Sequence, residues 1–269
     1  MKLSVITINF NNLDGLKQTA ESIINQTWKD FEWIIIDGGS TDGSREYIVN
    51  INENLNQKGW NPISYWCSES DKGIYNALNK GIFHCNGEFI SCMNSGDSFF
   101  DSQTLNKVFR QVRISDVLYG DRALVNSDGY FSIEKEKIPV DLYDVSIVGL
   151  CHQAMFVKTC YLKQKGFDEN YKIVSDCKRW TELALEGCTF EHVDCIVCNY
   201  DITGVSSINQ EEFHKEKMLM LQSTLPSMLF TSLMRLYQCE EGHIFKRCML
   251  ILNNKGVKSK ILKFILKIF

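Results

Sequence analysis

The chain has 269 residues, 44% hydrophobic and 23% charged, an ordinary globular composition that excludes disordered and fibrous classes. That length fits one large α/β domain with an appendage, and three prolines and 17 glycines leave little room for a flexible linker. The net charge of −4 argues against nucleic-acid binding, yet it hides an asymmetry: Ile244 to Phe269 carry seven Lys/Arg and no Asp/Glu, a +7 tail on a −11 body.

Strand and helix signals alternate through the first hundred residues. Leu3 to Ile8 reads as a buried strand, and Leu16 to Gln26 as a helix with Leu16, Ala20, Ile23 and Ile24 on one face. Phe31 to Ile36 is a second apolar run, ending in Asp37-Gly38-Gly39-Ser40-Thr41-Asp42-Gly43. Glu46 to Leu55 reads as a helix and Tyr65 to Cys67 as a short strand. Ile74 to His84 is a further helix, and Phe89 to Met93 a strand ending at Asn94-Ser95-Gly96-Asp97. This rhythm predicts a mainly parallel, doubly wound sheet, in which ligands sit beyond the carboxyl ends of the strands. Polar clusters follow three of them: Asn9 to Asn12, Asp37 to Asp42, and Asn94 to Asp97.

From Val117 the pattern changes. Val117 to Val125 and Tyr130 to Ile133 flank Asn126-Ser127-Asp128-Gly129, a hairpin signal that predicts a small antiparallel region. Ala154 to Val157 and Phe190 to Tyr200 read as strands, Tyr171 to Val174 as strand-like, and Asp176 to Glu186 as a helix. Glu211 to Met234 is helical in pattern, with Pro226 expected to break or kink it.

Lys2 precedes an apolar run that Asn9 ends too soon for a signal-peptide core, and no run approaches the roughly 18 apolar residues of a membrane span. The 11 cysteines are therefore expected as free thiols in a reducing cytoplasm. Cys195 and Cys198 form an isolated C-x-x-C in a strand-like run, without the second pair of a zinc ribbon.

The acidic residues at strand ends carry the chemistry. The Asp37 loop lacks a G-x-G-x-x-G fingerprint and offers carboxylates and hydroxyls, suited to ribose hydroxyls or a base N–H. Asp42 reads as a helix cap. Asp97 closes a strand with no nearby basic residue, so it reads either as a helix cap or as part of a platform for a hard cation and a diphosphate.

Five segments in order resemble bacterial family 2 glycosyltransferases of the GT-A fold. They are Ser4 to Asn11, Gln26-Thr27, Ile36 to Gly43, Ser68 to Gly81 and Asn94 to Asp97. Tyr119-Gly120-Asp121, His152-Gln153, Gly166-Phe167-Asp168, Ser175-Asp176 and Gly204-Val205-Ser206 extend the likeness to about residue 207. The resemblance implies a GT-A catalytic domain over 1–207, with a nucleotide-sugar half (1–100) and an acceptor half (101–207), followed by a helical region 208–269.

It also implies roles. Asp37 and Asp71 would hold the donor nucleoside, Asn9 and Phe10 would line the base pocket, and Asn79 belongs to the same donor block. Asp97 would bind Mn²⁺ or Mg²⁺, although the D-x-D position reads Ser95-Gly96-Asp97 and lacks its first acid. Asp176, preceding a helix, would be the base of an inverting transfer, with a helix cap as its structural alternative. His152 is either a metal or phosphate contact or an acceptor hydrogen-bonder, and Asp121 either binds a sugar hydroxyl or serves a turn.

The implied reaction moves a hexose, UDP-linked by the drift of the resemblance, onto a glycan acceptor carried on a lipid in surface-polysaccharide assembly. A sugar nucleotidyltransferase would need a glycine-rich, basic phosphate loop where Asn9-Phe10-Asn11-Asn12 stands, and a binding module without activity is the other alternative. In a helix from 257 to 269, Ile261, Leu262, Ile265 and Phe269 share a broad apolar arc opposite Lys260, Lys263 and Lys267. Such a tail suits peripheral contact with the inner face of the plasma membrane, or else packing on the body or on a second copy of the chain.

Overall fold

Strand β1 (Leu3–Asn9) is buried along its whole length, as a strand covered on both faces must be. It pairs in parallel with β2 (Phe31–Asp37), Leu3 opposite Phe31 through Asn9 opposite Asp37, and on its other side with β4 (Phe89–Cys92). Strand β3 (Ile63–Ser68) adds in parallel outside β2. The crossovers are helices α1 (Leu13–Ile24), α2 (Ser44–Gln57) and α3 (Ile74–His84). The computed structural model describes residues 1–126, 129–202 and 210–241.

The second half continues the same sheet in mixed sense. It adds β5 (Ser98–Phe99), α4 (Thr104–Phe109), β6 (Val117–Asn126), β7 (Gly129–Glu134), β8 (Met155–Lys158), α5 (Thr159–Gln164), α6 (Ser175–Leu185) and β9 (Phe190–Asp201). The nine strands run β3-β2-β1-β4-β8-β6-β9-β5, with β7 paired to β6. β8 is antiparallel to both β4 and β6, and the β6–β7 hairpin is antiparallel as its sequence predicts, whereas β6 and β9 are parallel. Alternate residues feed two cores. Leu3, Val5, Trp33 and Phe156 pack on one face with α1, and Ile6, Ile34, Leu78 and Trp180 on the other with α3 and α6.

The expected elements form, with instructive shifts. α1 starts at Leu13 because Asn12 Oδ1 accepts from Gly15 N. The Asp42 carboxylate accepts from Leu13 N and Ser44 N, the first amides of α1 and α2, although Gly43 and not Asp42 is the N-cap residue of α2. Tyr171–Val174 forms no strand. Tyr171 N donates to Asp168 O, and the next three amides go to one side chain, Glu216, which accepts from Lys172 N, Ile173 N and Val174 N at 2.6, 2.7 and 3.1 Å. The long C-terminal helix is interrupted at Pro226 into α7 (Gln210–Thr224) and α8 (Ser227–Glu241).

Two compact units result, Met1–Thr224 and Leu225–Phe269, so α7, expected in the appendage, belongs to the body. The Ser127-Asp128 turn, Gly204-Val205-Ser206 and the tail 257–269 lie outside the described residues. Cys195 and Cys198 lie in β9, and the described cysteines are free.

At the start of β6, Asp116 joins three segments. Its carboxylate accepts from Thr189 N (2.9 Å), Thr189 Oγ1 (2.8 Å) and Lys158 Nζ (3.1 Å). Burial opposes ionisation, but these bonds outweigh it and hold the carboxyl at about 2, below its ordinary 3.8. A depressed folded-state pKa contributes stability above the ordinary value and loses it as the pH falls toward the folded one. Asp116→Asn should therefore destabilise the fold by about 1–2 kcal/mol at pH 7. The deficit should shrink between pH 4 and 2, as read by denaturant unfolding across that range.

Candidate active site

The chain reverses its direction of travel across the sheet between β1 and β4, which opens a crevice at their carboxyl ends. The loops there are stitched together. Asn9 Nδ2 donates to Asp37 Oδ1 at 2.7 Å, Thr41 N to Asn11 Oδ1 at 2.9 Å, and Asn12 Nδ2 to Ser95 O at 3.2 Å. Below them opens a cavity of about 860 Å³, whose wall includes Phe10, Asp71, Asp97, His152 and Asp176. That is the size of a small-molecule site.

Asp37 is fully buried, and its carboxylate serves the loops. Ser40 Oγ and Asn9 Nδ2 donate to Oδ1, and Ser68 Oγ and Ser40 N to Oδ2, at 2.5–3.0 Å. Burial would raise its pKa, but hydrogen bonds from Ser40, Ser68 and Asn9 more than compensate and hold it below the usual range. Asp71 is the acid on the wall. Its Oδ1 accepts from Gly73 N at 2.8 Å, and its Oδ2 lies 2.7 Å from where a Cβ at position 38 would stand. Gly38 thus leaves the space that Asp71 occupies. Beside it Phe10, 66% exposed, offers an aromatic face at the rim.

Two expected site residues have other tasks. Asn79 ties α3 to the loop before α6, donating to Phe167 O and Glu169 Oε1 and accepting from Phe167 N, away from the cavity wall. Asp121 accepts from Glu136 N at 3.0 Å and lies 3.1 Å from His192 Nε2. It ties the segment that follows β7 to β6, and it does not line the cavity.

Asp97 is buried at the cavity floor. Gln153 Nε2 donates to its Oδ2 at 2.8 Å and Asp201 N to its Oδ1 at 3.0 Å. Burial pushes its pKa up to about 7 despite these bonds. Among the described residues no lysine or arginine pairs with it, and no group of three or more His, Cys, Asp or Glu stands ready for a metal. Two oxygens on the same wall, Asn94 Oδ1 and Ser95 Oγ, are buried without a hydrogen-bond partner. Such orphaned oxygens are costly. With Asp97 they form the oxygen donor set that suits a hard divalent cation, which takes one or two carboxylates and completes its shell with phosphate.

Asp176 opens α6, as expected, and is nearly closed off. His152 Nδ1 donates to its Oδ2 at 2.8 Å and Cys177 N to Oδ1 at 2.8 Å, while Tyr75 Oη lies 3.0 Å from Oδ1 and shares its one proton with Ile173 O, 2.6 Å away. Burial opposes the charge, but the hydrogen bond and charge of His152 overcome it, so Asp176 stays below the ordinary carboxylate range. Reciprocally, burial would lower His152, but its bond to Asp176 lifts it above the usual imidazole range. His152 Nε2 lies 3.1 Å from Asn94 Nδ2, so one imidazole bridges the β4 loop and α6.

The structure places Asp97, His152 and Asp176 on one cavity wall, together with Tyr75, Gln153 and Lys217, which sequence reasoning did not single out. Tyr75 and Gln153 lie inside recognised motifs, yet an aromatic on a helix and an amide beside a histidine read first as packing. Lys217 carries no sequence signal, because α7 reaches the cavity only through the tertiary fold.

Comparison with known proteins accounts for this arrangement. Residues 4–170 match the family described as Glycosyl transferase family 2. An uncharacterized glycosyltransferase of Mycobacterium tuberculosis is 32% identical over 216 residues, 76% of this chain and 77% of that protein. A PGL/p-HBAD biosynthesis glycosyltransferase of Mycobacterium bovis BCG is 27% identical over 181 residues, 64% of this chain and 66% of its own. In fold, the chain is similar to S. aureus TarS in complex with UDP-GlcNAc, with a TM-score of 0.67 and 18% identity over 98% of this chain and 77% of that one. It is also similar to the mannosyltransferase PcManGT of Pyrobaculum calidifontis in complex with GDP-Man and Mn²⁺, with a TM-score of 0.63 and 15% identity over 99% of this chain and 78% of that one. With a family match over more than half its length, this chain belongs to glycosyl transferase family 2 and is a glycosyltransferase with the GT-A fold.

Proposed function

We propose that the enzyme moves a hexose from a nucleotide-diphospho-sugar, UDP-linked in the first instance, to a glycan hydroxyl with inversion, and that Asp176 is its base. One observation carries this reading: a carboxylate held ionised by His152 lines the same cavity as Asp71 and Asp97. The donor and metal named for the two similar structures support the donor class and the cation.

In this reading Phe10 stacks on the nucleobase, and Asp71 accepts from a base N–H or ribose hydroxyls. Asp37 acts behind them, fixing Asn9, Ser40 and Ser68 so that the pocket is formed before the donor arrives. Asp97, with Asn94 Oδ1 and Ser95 Oγ, would hold Mn²⁺ or Mg²⁺, which supplies Lewis-acid compensation for the leaving diphosphate. Asp176 takes the acceptor proton as the new bond to the anomeric carbon forms and the bond to the phosphate oxygen breaks. A carboxylate of low pKa suffices because the hydroxyl becomes acidic only as the glycosyl cation develops. His152 orients the carboxylate and keeps it anionic in a site that would otherwise discharge it.

The acceptor in this reading is a growing, lipid-linked surface glycan. The basic sequence of 257–269 supports a cytoplasmic enzyme placed peripherally on the inner face of the plasma membrane.

Asp176→Asn should bind nucleotide as the wild type does and lose transfer by about 10²–10⁴-fold, measured as nucleotide release at saturating acceptor. Wild-type turnover in that variant would remove Asp176 as the base.

His152→Gln removes the group that lowers the Asp176 pKa, so the acid limb of the kcat profile should move to higher pH. An unmoved limb, in a variant that still binds nucleotide, would show that His152 does not set the base.

Asp71→Ala should weaken nucleotide affinity by tenfold or more by calorimetry, with an unchanged melting temperature. Wild-type affinity would move the nucleoside elsewhere.

A further inference from the structure

Arg179, 2% exposed, pairs with Glu182 and Glu186, and Arg122 pairs with Glu134 and Glu136. Lys217 of α7 is different. It is 8% exposed, yet among the described residues no Asp or Glu oxygen lies within ion-pair distance of its ammonium. Its Nζ donates to Ile147 O at 2.6 Å and reaches Val148 O at 3.5 Å, and the Phe213 ring centre lies 5.2 Å away. Carbonyl dipoles and a ring face soften the burial of a charge but leave it uncancelled.

The location gives that charge a use. Lys217 lines the same cavity as Asp176. A Cβ built on Gly149 would stand 3.6 Å from Lys217 Nζ and 3.7 Å from Cys177 Sγ, so Gly149 leaves the ammonium and the thiol their room on this wall. The height of Lys217 there is fixed by the preceding residue, since Glu216 clamps the amides of Lys172, Ile173 and Val174 just ahead of α6. Lys172, on the same cavity wall, is largely exposed and lies 3.8 Å from Glu212 Oε1, so its charge is already met. Phe10, Gly38 and Asp71, which face the donor in the reading above, come from the loops that follow β1, β2 and β3.

We propose that Lys217 forms an anion subsite on the acceptor side of the cavity, so that the acceptor carries a phosphate or carboxylate close to the hydroxyl that is glycosylated. The inference rests on Asp176 being the base, because that assignment makes this side the acceptor's. The same chemistry has a second source, the donor diphosphate, and the experiment must separate the two.

Inorganic phosphate is the probe, titrated calorimetrically into the full-length chain already saturated with the nucleoside diphosphate that binds it best, so that the donor's phosphate positions are filled. The wild type should bind phosphate. Lys217→Met should lose at least tenfold in that affinity, Lys217→Arg should keep most of it, and nucleotide affinity should change less than twofold in both. Equal phosphate binding by wild type and Lys217→Met overturns the proposal. So does a parallel loss of nucleotide affinity, which would assign Lys217 to the donor diphosphate. Should Lys217→Met not fold, reductive methylation of the wild type followed by mass spectrometry reads the same site. Phosphate should protect Lys217 in the nucleotide-saturated enzyme, and absence of protection counts against the subsite. If no nucleoside diphosphate binds the wild type, the donor reading fails separately, and phosphate binding to the nucleotide-free chain still decides the subsite.

Discussion

β1 hydrogen-bonds in parallel to β2 on one side and to β4 on the other, so three strands release the chain at the same edge of the sheet. Everything in the site depends on that edge. The register that sets Asn9 opposite Asp37 is the one that allows their side chains to bond, and that bond seats the loops bearing Phe10 and Ser40. A slip of one residue would turn Asn9 and Asp37 to opposite faces and open the pocket. Burial of β1 and β2 on both faces makes such a slip expensive, because it would exchange the two cores that Val5 and Ile6 separately fill.

The acids of the site solve the problem of buried charge in three ways. Asp37 is surrounded by four donors and remains an anion that organises loops. Asp176 is held by an imidazole and an amide with a phenol beside it, which leaves a charged, oriented carboxylate. Asp97 has only an amide side chain and one backbone N–H, too little to offset its burial, and unpaired oxygens stand on the wall around it. The first two are self-sufficient, whereas the third lacks a compensating charge within the protein, which is why the proposed reading gives it a cation.

Helix α7 gives the cavity its far wall. Glu216 substitutes a single carboxylate for the strand partner that Tyr171–Val174 lacks, and Lys217, next in sequence, turns to the cavity. Adjacent residues of opposite charge thus divide the labour between fixing the approach to α6 and presenting a cation. The break at Pro226 separates this helix from the rest of the C-terminal region, so the body ends at Thr224.

Local chemistry made much of this legible in the sequence. Alternating apolar runs and turn residues determined the strands, the helix Ile74–His84 and the hairpin, because period and propensity act over a few residues. The motif order identified the family and singled out Asp71, Asp97, His152 and Asp176. What the sequence could not carry was which residues meet across long stretches of chain. Asp37 and Asp71 look alike as loop acids, and only the packing of Ser68 and Ser40 around the first sends it inward while Gly38 clears space for the second. Asn79 belongs to a donor-type motif, but its helix face meets Phe167. The pairing of Tyr75 with Asp176 and the entry of Lys217 into the cavity arise from tertiary contact alone, since hydrogen bonding between distant residues is set by the placement of whole elements and leaves no local pattern.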